Sequence, residues 1–154
     1  MATPRAPSAP APAARPALKK VLSDGEAILL YDGVCGLCNR FVQFVLRYDK
    51  HGTLKFATLQ GAYGEAARTT APELATIDSL VLLTPSGAYV RSTAALEVIR
   101  YIGGLWAATL VLYALPRRLR DWGYDQIAAR RYRLFGKYDS CRIPDASARA
   151  RFLD

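Results

Sequence analysis

The stretch "LLYDGVCGLCNRFVQFVL", residues 29–46, decides the fold of this chain of 154 residues. Its apolar start stops at Asp32 and Gly33, a turn-forming pair, as a buried strand does at its end. Apolar residues then recur at helical spacing, and Gly52 is a typical helix stop. The stretch therefore predicts a strand, a tight turn and a helix, with two cysteines at the beginning of the helix.

The rest of the central region continues this pattern of short strands and helices. It predicts a strand at 53–59, a weak helix or loop at 61–71, a strand at 79–84, its hairpin partner at 89–92, and a helix capped by Ser92 or Thr93 that ends at Gly103. This order of elements (βαβα-ββα) is the thioredoxin-like α/β layout. We therefore expect that fold class, with an additional basic helical segment at the C-terminus.

Both ends of the chain differ from the centre in composition. Residues 1–20 contain five prolines, four basic side chains and no acidic ones, which predicts a disordered tail rather than a secretory signal. Residues 105–115 are apolar but too few to cross a bilayer, and Pro116 opens an arginine-rich helix. We predict three parts: the tail at 1–20, a thioredoxin-like core at 21–104, and an apolar-basic helical extension at 105–154 packed on the core.

The two cysteines lie where the first helix begins. Unpaired backbone N–H groups and the helix dipole stabilise a thiolate at this end, so we expect a low pKa for Cys35. Cys38 lies one turn further, close enough for a disulfide. The expected roles are an exposed, attacking Cys35 and a resolving Cys38. The competing interpretation treats both residues as small hydrophobic packing groups.

Asp32 is the third candidate site residue, and it has two interpretations. A carboxylate near the pair can move protons during exchange, although its charge also opposes thiolate formation. Asp-Gly is equally a favoured turn pair, and we favour this turn role.

The sequence contains one histidine, His51, and a third cysteine, Cys141. His51 with Cys35, Cys38 and Cys141 has the ligand count of a zinc site, but the helix carries His51 away from the pair. We therefore predict no metal and no bound cofactor. Cys141 is either a third redox thiol, favoured by neighbouring Arg142, or a buried packing residue.

Several separated motifs resemble one known family. "YDGVCGLC", "DSLVLLTPSGAYVRSTAALEVIRYIGG" and "YDQIAARRYRLFGKYDSCRIP" occur in this order, and Asp32, Cys35 and Cys38 match an Asp-x-x-Cys-x-x-Cys pattern. Together they resemble the DCC family of thiol-disulfide oxidoreductases, over about residues 27–153. The resemblance implies a thioredoxin-like fold and disulfide exchange. Thioredoxins place a cis-proline before the strand that faces the disulfide. Here Thr76, Ile77 and Asp78 precede that strand and Pro72 lies too far upstream, so we expect substrate docking to differ.

Two functions from different classes follow. The first is a thiol-disulfide oxidoreductase that acts on a protein or small-thiol disulfide through Cys35 and Cys38. The alternative is a membrane-peripheral or protein-interaction module that uses the basic C-terminal helix, with a non-catalytic cysteine pair.

Residues 21–113 carry seven basic and eight acidic side chains, whereas residues 114–154 carry ten basic and five acidic ones. The basic charge therefore favours an accessory contact with an anionic membrane, and no groove-reading motif supports nucleic acid. We expect a cytoplasmic, or cytoplasmic and membrane-peripheral, location.

Overall fold

The predicted thioredoxin-like α/β fold is confirmed. A computed structural model describes residues 27–52, 54–70, 74, 76–77, 79–137 and 146–153. The central elements are β1 (Ala27–Tyr31), α1 (Gly36–Tyr48), β2 (Leu54–Thr58), α2 (Ala62–Thr70), β3 (Val81–Thr84), β4 (Gly87–Val90) and α3 (Arg91–Ile102). After them come a 3₁₀ helix (Gly104–Ala114), α4 (Arg117–Ala129), α5 (Arg131–Phe135) and α6 (Ala146–Arg149). The predicted weak helix or loop at 61–71 is thus the helix α2.

The strands form one mixed sheet in the order β2-β1-β3-β4. β1 pairs with β2 in parallel, with Leu29 opposite Phe56, and with β3 in antiparallel, with Leu29 opposite Leu82. All five residues of β1 are buried, because the strand is central and covered on both faces. Its apolar sequence, which lacks alternation, follows from that position.

Alternate residues of β1 enter two cores on opposite faces of the sheet. Ile28 and Leu30 pack in the core that also contains Ala67 of α2. Leu29 and Tyr31 pack in the core that contains the apolar faces of α1 and α3. Both cysteines belong to this second core. The cysteine pair is therefore part of a buried core at the start of α1 and does not lie on an isolated loop.

The predicted cap of α3 is wrong. The helix begins at Arg91, and its N-cap residue Val90 makes no side-chain capping bond. The reason is that β4 runs directly into α3 without a loop, and Arg91 absorbs the change of direction with a φ of 54°. Ser92 has another partner, because its hydroxyl donates to Asp121 of α4 over 2.5 Å.

The C-terminal extension contacts the core at several points. Pro116 is the N-cap residue of α4, and Tyr124 of α4 accepts a hydrogen bond from the backbone N–H of Leu80 over 3.2 Å. Residues 151–153 bond to the β2 edge, where Phe56 N donates to Arg151 O and Leu153 N donates to Phe56 O. The division into tail, core and extension stays a prediction, and the tail lies outside the described residues. Within the described residues, no helix is both long enough and apolar enough to cross a membrane.

Candidate active site

The cysteine pair is built into the beginning of α1. Cys35 is the N-cap residue, with extended backbone angles (φ −80°, ψ 123°), and Cys38 lies in the first turn. The backbone N–H of Cys38 donates to the Cys35 sulfur over 3.4 Å. The two side chains are also hydrogen-bonded to each other, and both thiols are reduced. The Cys35 sulfur therefore takes the place that a serine or aspartate oxygen has in an ordinary helix cap.

This arrangement separates the acidities of the two thiols. The hydrogen bond from the Cys38 side chain is the largest of the effects that lower the pKa of Cys35 to about 6. The backbone N–H groups of Cys38 and Leu37 and the positive charge of Arg131 act in the same direction, and burial opposes them. The bond to Cys35, together with burial, raises the pKa of Cys38. Cys35 is therefore the more acidic thiol of the pair.

The predicted exposure of Cys35 is wrong. Cys35 is 0% exposed and Cys38 is 6% exposed. Part of the cover is residues 131–137, which we call the cap segment; the rest is the core in which both cysteines pack. The backbone N–H of Gly36 donates to Gly136 O over 3.0 Å, and Cys35 pairs with Lys137 in an isolated antiparallel bridge. Cys35 is therefore covered in part by a segment about one hundred residues away in sequence.

Gly36 permits this close approach. A Cβ atom at residue 36 would lie 2.0 Å from the carbonyl oxygen of Phe135 and 3.1 Å from that of Gly136. Both contacts are to backbone, which cannot rotate aside as a flexible side chain can. The glycine between the cysteines is thus required by the cap segment packed over it.

Asp32 joins the turn to the cap segment. The side chain is 3% exposed, and its Oδ1 accepts hydrogen bonds from Val34 N over 3.1 Å and from Gln60 Nε2 over 3.0 Å. Its Oδ2 accepts from the Tyr132 hydroxyl and from Arg131 Nη2, the latter over 3.4 Å. The bond to Val34 is the one expected of a turn-forming aspartate. Four donors surround the carboxylate, and two of them come from the cap segment.

Sequence reasoning missed several of the residues that build the site. Asn39 is buried, and its Nδ2 donates to Gly33 O and Cys35 O, each over 2.9 Å, which fixes the turn before α1. A signal existed for this residue, since an asparagine one turn from a cysteine on a buried helix face needs partners. None existed for Arg131 and Tyr132, because no sequence spacing connects them with Asp32.

The segment before β3 lies beside the site. Tyr124 binds Leu80 there, and burial is the main cause that raises the pKa of Tyr124 to about 12. A groove of about 300 Å³ runs along this segment, and its lining includes Ile77, Ser79, Arg131 and Tyr132. The expected difference in substrate docking stays a prediction, and Pro72 lies outside the described residues.

The described residues do not assemble the alternative zinc site of Cys35, Cys38, Cys141 and His51. His51 is exposed in the turn after α1, and Cys141 lies outside the described residues. Within the part of the chain that the structure describes, no group of three or more histidine, cysteine, aspartate or glutamate side chains could hold a metal ion.

Comparison with known proteins agrees with this geometry. Residues 29–137 match the family model described as DCC1-like thiol-disulfide oxidoreductase. The chain is 38% identical over 127 residues to Uncharacterized protein YuxK of Bacillus subtilis (strain 168), which covers 82% of this chain and 93% of the relative. It is 35% identical over 124 residues to DCC family protein At1g52590, chloroplastic, of Arabidopsis thaliana, which covers 78% of this chain and 71% of that protein. No solved structure matches. The chain therefore belongs to the DCC1-like thiol-disulfide oxidoreductase family.

Proposed function

We propose that the chain exchanges disulfides, with Cys35 as the attacking thiolate and Cys38 as the resolving thiol. The observation that carries the proposal is the capping position of the Cys35 sulfur, where hydrogen bonds from Cys38 lower its pKa to about 6. A nucleophilic cysteine needs this thiolate character, and a packing cysteine does not. The family to which the chain belongs supports the same role.

The proposed exchange has two steps. The Cys35 thiolate attacks one sulfur of a substrate disulfide, a mixed disulfide forms, and the substrate S–S bond breaks to release the first thiolate. Cys38 then loses its proton to that thiolate and attacks the Cys35 sulfur. This step releases the second substrate thiolate and leaves a Cys35–Cys38 disulfide. The substrate gains two electrons and the cysteine pair loses two, and the reverse sequence oxidises a dithiol.

The cap segment must open for the first step. The closed form leaves no exposed surface on the Cys35 sulfur. The contacts that hold the cap segment closed include the backbone bond from Gly36 to Gly136, the bridge at Lys137 and the bonds from Tyr132 and Arg131 to Asp32. The Arg40 guanidinium over the Phe135 ring adds to them. A neutral hydrogen bond contributes about 1 kcal/mol and a bond to a charged group about 1.5–3 kcal/mol. Opening of this one segment breaks only the contacts of that segment, so it costs less than global unfolding.

Asp32 is assigned a positioning role in this proposal. Its two oxygens accept four hydrogen bonds, which hold both the turn before Cys35 and the cap segment. These bonds engage the carboxylate with the turn and with the cap segment. We therefore expect Asp32→Asn to change the opening of the cap segment more than the exchange chemistry that follows.

The test uses oxidised glutathione as the substrate and Cys141→Ser as the background, which removes the third thiol. The Cys38→Ser variant should accumulate a mixed disulfide with one glutathione on Cys35, detected by intact mass after acid quenching. The Cys35→Ser variant should form none at neutral pH. The background chain should form the internal disulfide without retaining glutathione. If Cys35→Ser exchanges as fast as the background chain, the proposed function is wrong.

A further inference from the structure

We propose that the outward face of the C-terminal extension docks on an anionic lipid surface. This face, which we call the docking surface, consists of the exposed side chains of the 3₁₀ helix, α4 and α5. Its α5 part overlaps the cap segment, but docking on a lipid surface does not depend on exchange chemistry. Three features of this face favour such docking: its exposed apolar side chains, their arrangement on α4, and the charge around them.

The 3₁₀ helix is apolar and yet has no buried residue. Leu105 is 96% exposed and Val111 is 71% exposed. Trp106 packs its ring on Phe44 at a centroid distance of 4.8 Å, which attaches the helix to α1 while the aliphatic side chains remain in water. Scattered exposed leucines are ordinary, but a run of them in one element marks an interaction surface.

α4 extends this surface with a stripe of apolar residues. Leu115, just before the helix, is followed at helical spacing by Leu119, which is 51% exposed, and Trp122, which is 62% exposed. Asp121 and Tyr124 face the core, since they bond to Ser92 and to the backbone of Leu80. The stripe therefore points away from the core, on the side that a partner can reach.

The charge around these apolar residues is positive. Residues 104–137 contain seven basic and two acidic side chains. Both acidic groups are paired, Asp121 with Arg117 at 3.4 Å and Asp125 with Arg91 at 3.6 Å. Three exposed arginines lie along α4 and around it, namely Arg118, Arg130 and Arg133. The docking surface therefore combines unpartnered apolar groups with a net positive charge.

An anionic bilayer matches both properties at once. Leucine and tryptophan side chains enter the boundary between headgroups and acyl chains, while guanidinium groups bind lipid phosphates. A nucleic acid would satisfy the charge but leave Leu105 and Val111 in water. Contact with a bilayer also needs no shape complementarity, which suits side chains spread over three short elements.

The test is co-sedimentation of the full chain with two kinds of vesicle. One contains equal parts of phosphatidylcholine and phosphatidylglycerol, and the other contains phosphatidylcholine alone. We expect binding to the anionic vesicles at low salt and little binding to the neutral ones. Leu119→Gln with Trp122→Gln, which keeps every charge, should weaken binding by at least about tenfold. Arg118→Gln should weaken it about fivefold, and Arg149→Gln, an equal charge change at an exposed position of α6, should have little effect.

A second readout reports insertion directly. Trp106→Phe leaves Trp122 as the single tryptophan, since the chain contains two. Its emission should shift to the blue on anionic vesicles and be quenched by brominated lipid. The proposal is overturned if the chain does not sediment at low salt, or if the double variant binds as well as the parent, because the basic tail would then explain binding. It is also overturned if the chain does not bind vesicles and the double variant instead abolishes its self-association. The Cys35→Ser/Cys38→Ser chain should bind vesicles normally, which separates this result from the exchange test.

Discussion

Replacing Gly36 by alanine should open the cap segment. The new methyl group would lie 2.0 Å from the Phe135 carbonyl oxygen, so the backbone of the cap segment must retreat by at least about 1 Å. The bond from Gly36 N to Gly136 O then lengthens or breaks. Overpacking of this kind costs about 1–3 kcal/mol and the lost hydrogen bond about 1 kcal/mol, while alanine returns up to about 1 kcal/mol of helix propensity. We expect a net cost of about 2 kcal/mol.

Two measurements follow from that value. A loss of about 2 kcal/mol lowers the midpoint of thermal unfolding by roughly 4–8 °C in a chain of this size. If the cost falls on the closed cap segment alone, the open population rises roughly 30-fold. The rate at which iodoacetamide alkylates Cys35 under native conditions should rise in proportion. Unchanged alkylation of Cys35 in a folded Gly36→Ala chain would refute the closed cap segment.

Two other glycines provide matched controls. A Cβ at Gly64 of α2 would lie 2.3 Å from the Leu59 carbonyl oxygen, so Gly64→Ala should lower the unfolding temperature without accelerating alkylation of Cys35. A Cβ at Gly123 of α4 would meet nothing within 4 Å, and Gly123→Ala should stabilise the chain by about 0.5–1 kcal/mol. Faster alkylation in Gly64→Ala would show that Cys35 reacts through general loosening rather than through the cap segment.

Three further predictions concern charge. The alkylation rate of Cys35 should rise with pH through a midpoint of about 6 and then level off, because only the thiolate reacts. A midpoint near 8.5, the usual pKa of a cysteine, would contradict the capping geometry. Arg131→Gln should move that midpoint upward, because the positive charge of Arg131 lowers the pKa of Cys35. It should also destabilise the chain by about 3 kcal/mol, because it removes the cation beside buried Asp32. Arg131→Lys should keep the midpoint low. The Arg151 guanidinium lies 2.5 Å from the buried Asp49 carboxylate, so Arg151→Met should leave that carboxylate unpaired and lower the free energy of unfolding in urea by about 3–5 kcal/mol. Adding Asp49→Asn to the same chain should recover part of the loss. Equal stability of the single and double variants would contradict this pairing.

The central fold could be predicted because its signals are local. The apolar run of β1, the turn at Asp32-Gly33 and the helical spacing of α1 each report a structure formed within a few residues. The cap of α3 could not be predicted, because Ser92 has the chemistry of a capping residue but binds Asp121 of α4. A hydroxyl that suits two partners is assigned only by tertiary contacts.

The position of the cysteine pair could be predicted from sequence, and its cover could not. Cys35 and Cys38 follow from the strand–turn–helix pattern. The direction of the pKa shift of Cys35 was expected from the helix end, but the largest cause is the hydrogen bond from the Cys38 side chain. The burial of Cys35 involves Gly136 and Lys137, which the topology brings back to the start of the helix about one hundred residues later in the chain. From sequence, an arginine-rich segment is expected to be a solvated surface. No local pattern indicates that Arg131 points inward to Asp32.

The cover over Cys35 also determines how the chain meets oxidants. A thiolate with a pKa of about 6 is the form that peroxide converts first to sulfenic and then irreversibly to sulfinic acid. While the cap segment is closed, peroxide in solution does not reach the sulfur, and Cys38 hydrogen-bonded to it can condense with a sulfenic acid before a second oxidation. We therefore expect the cover that delays a substrate in the proposed exchange to protect Cys35 from oxidation as well.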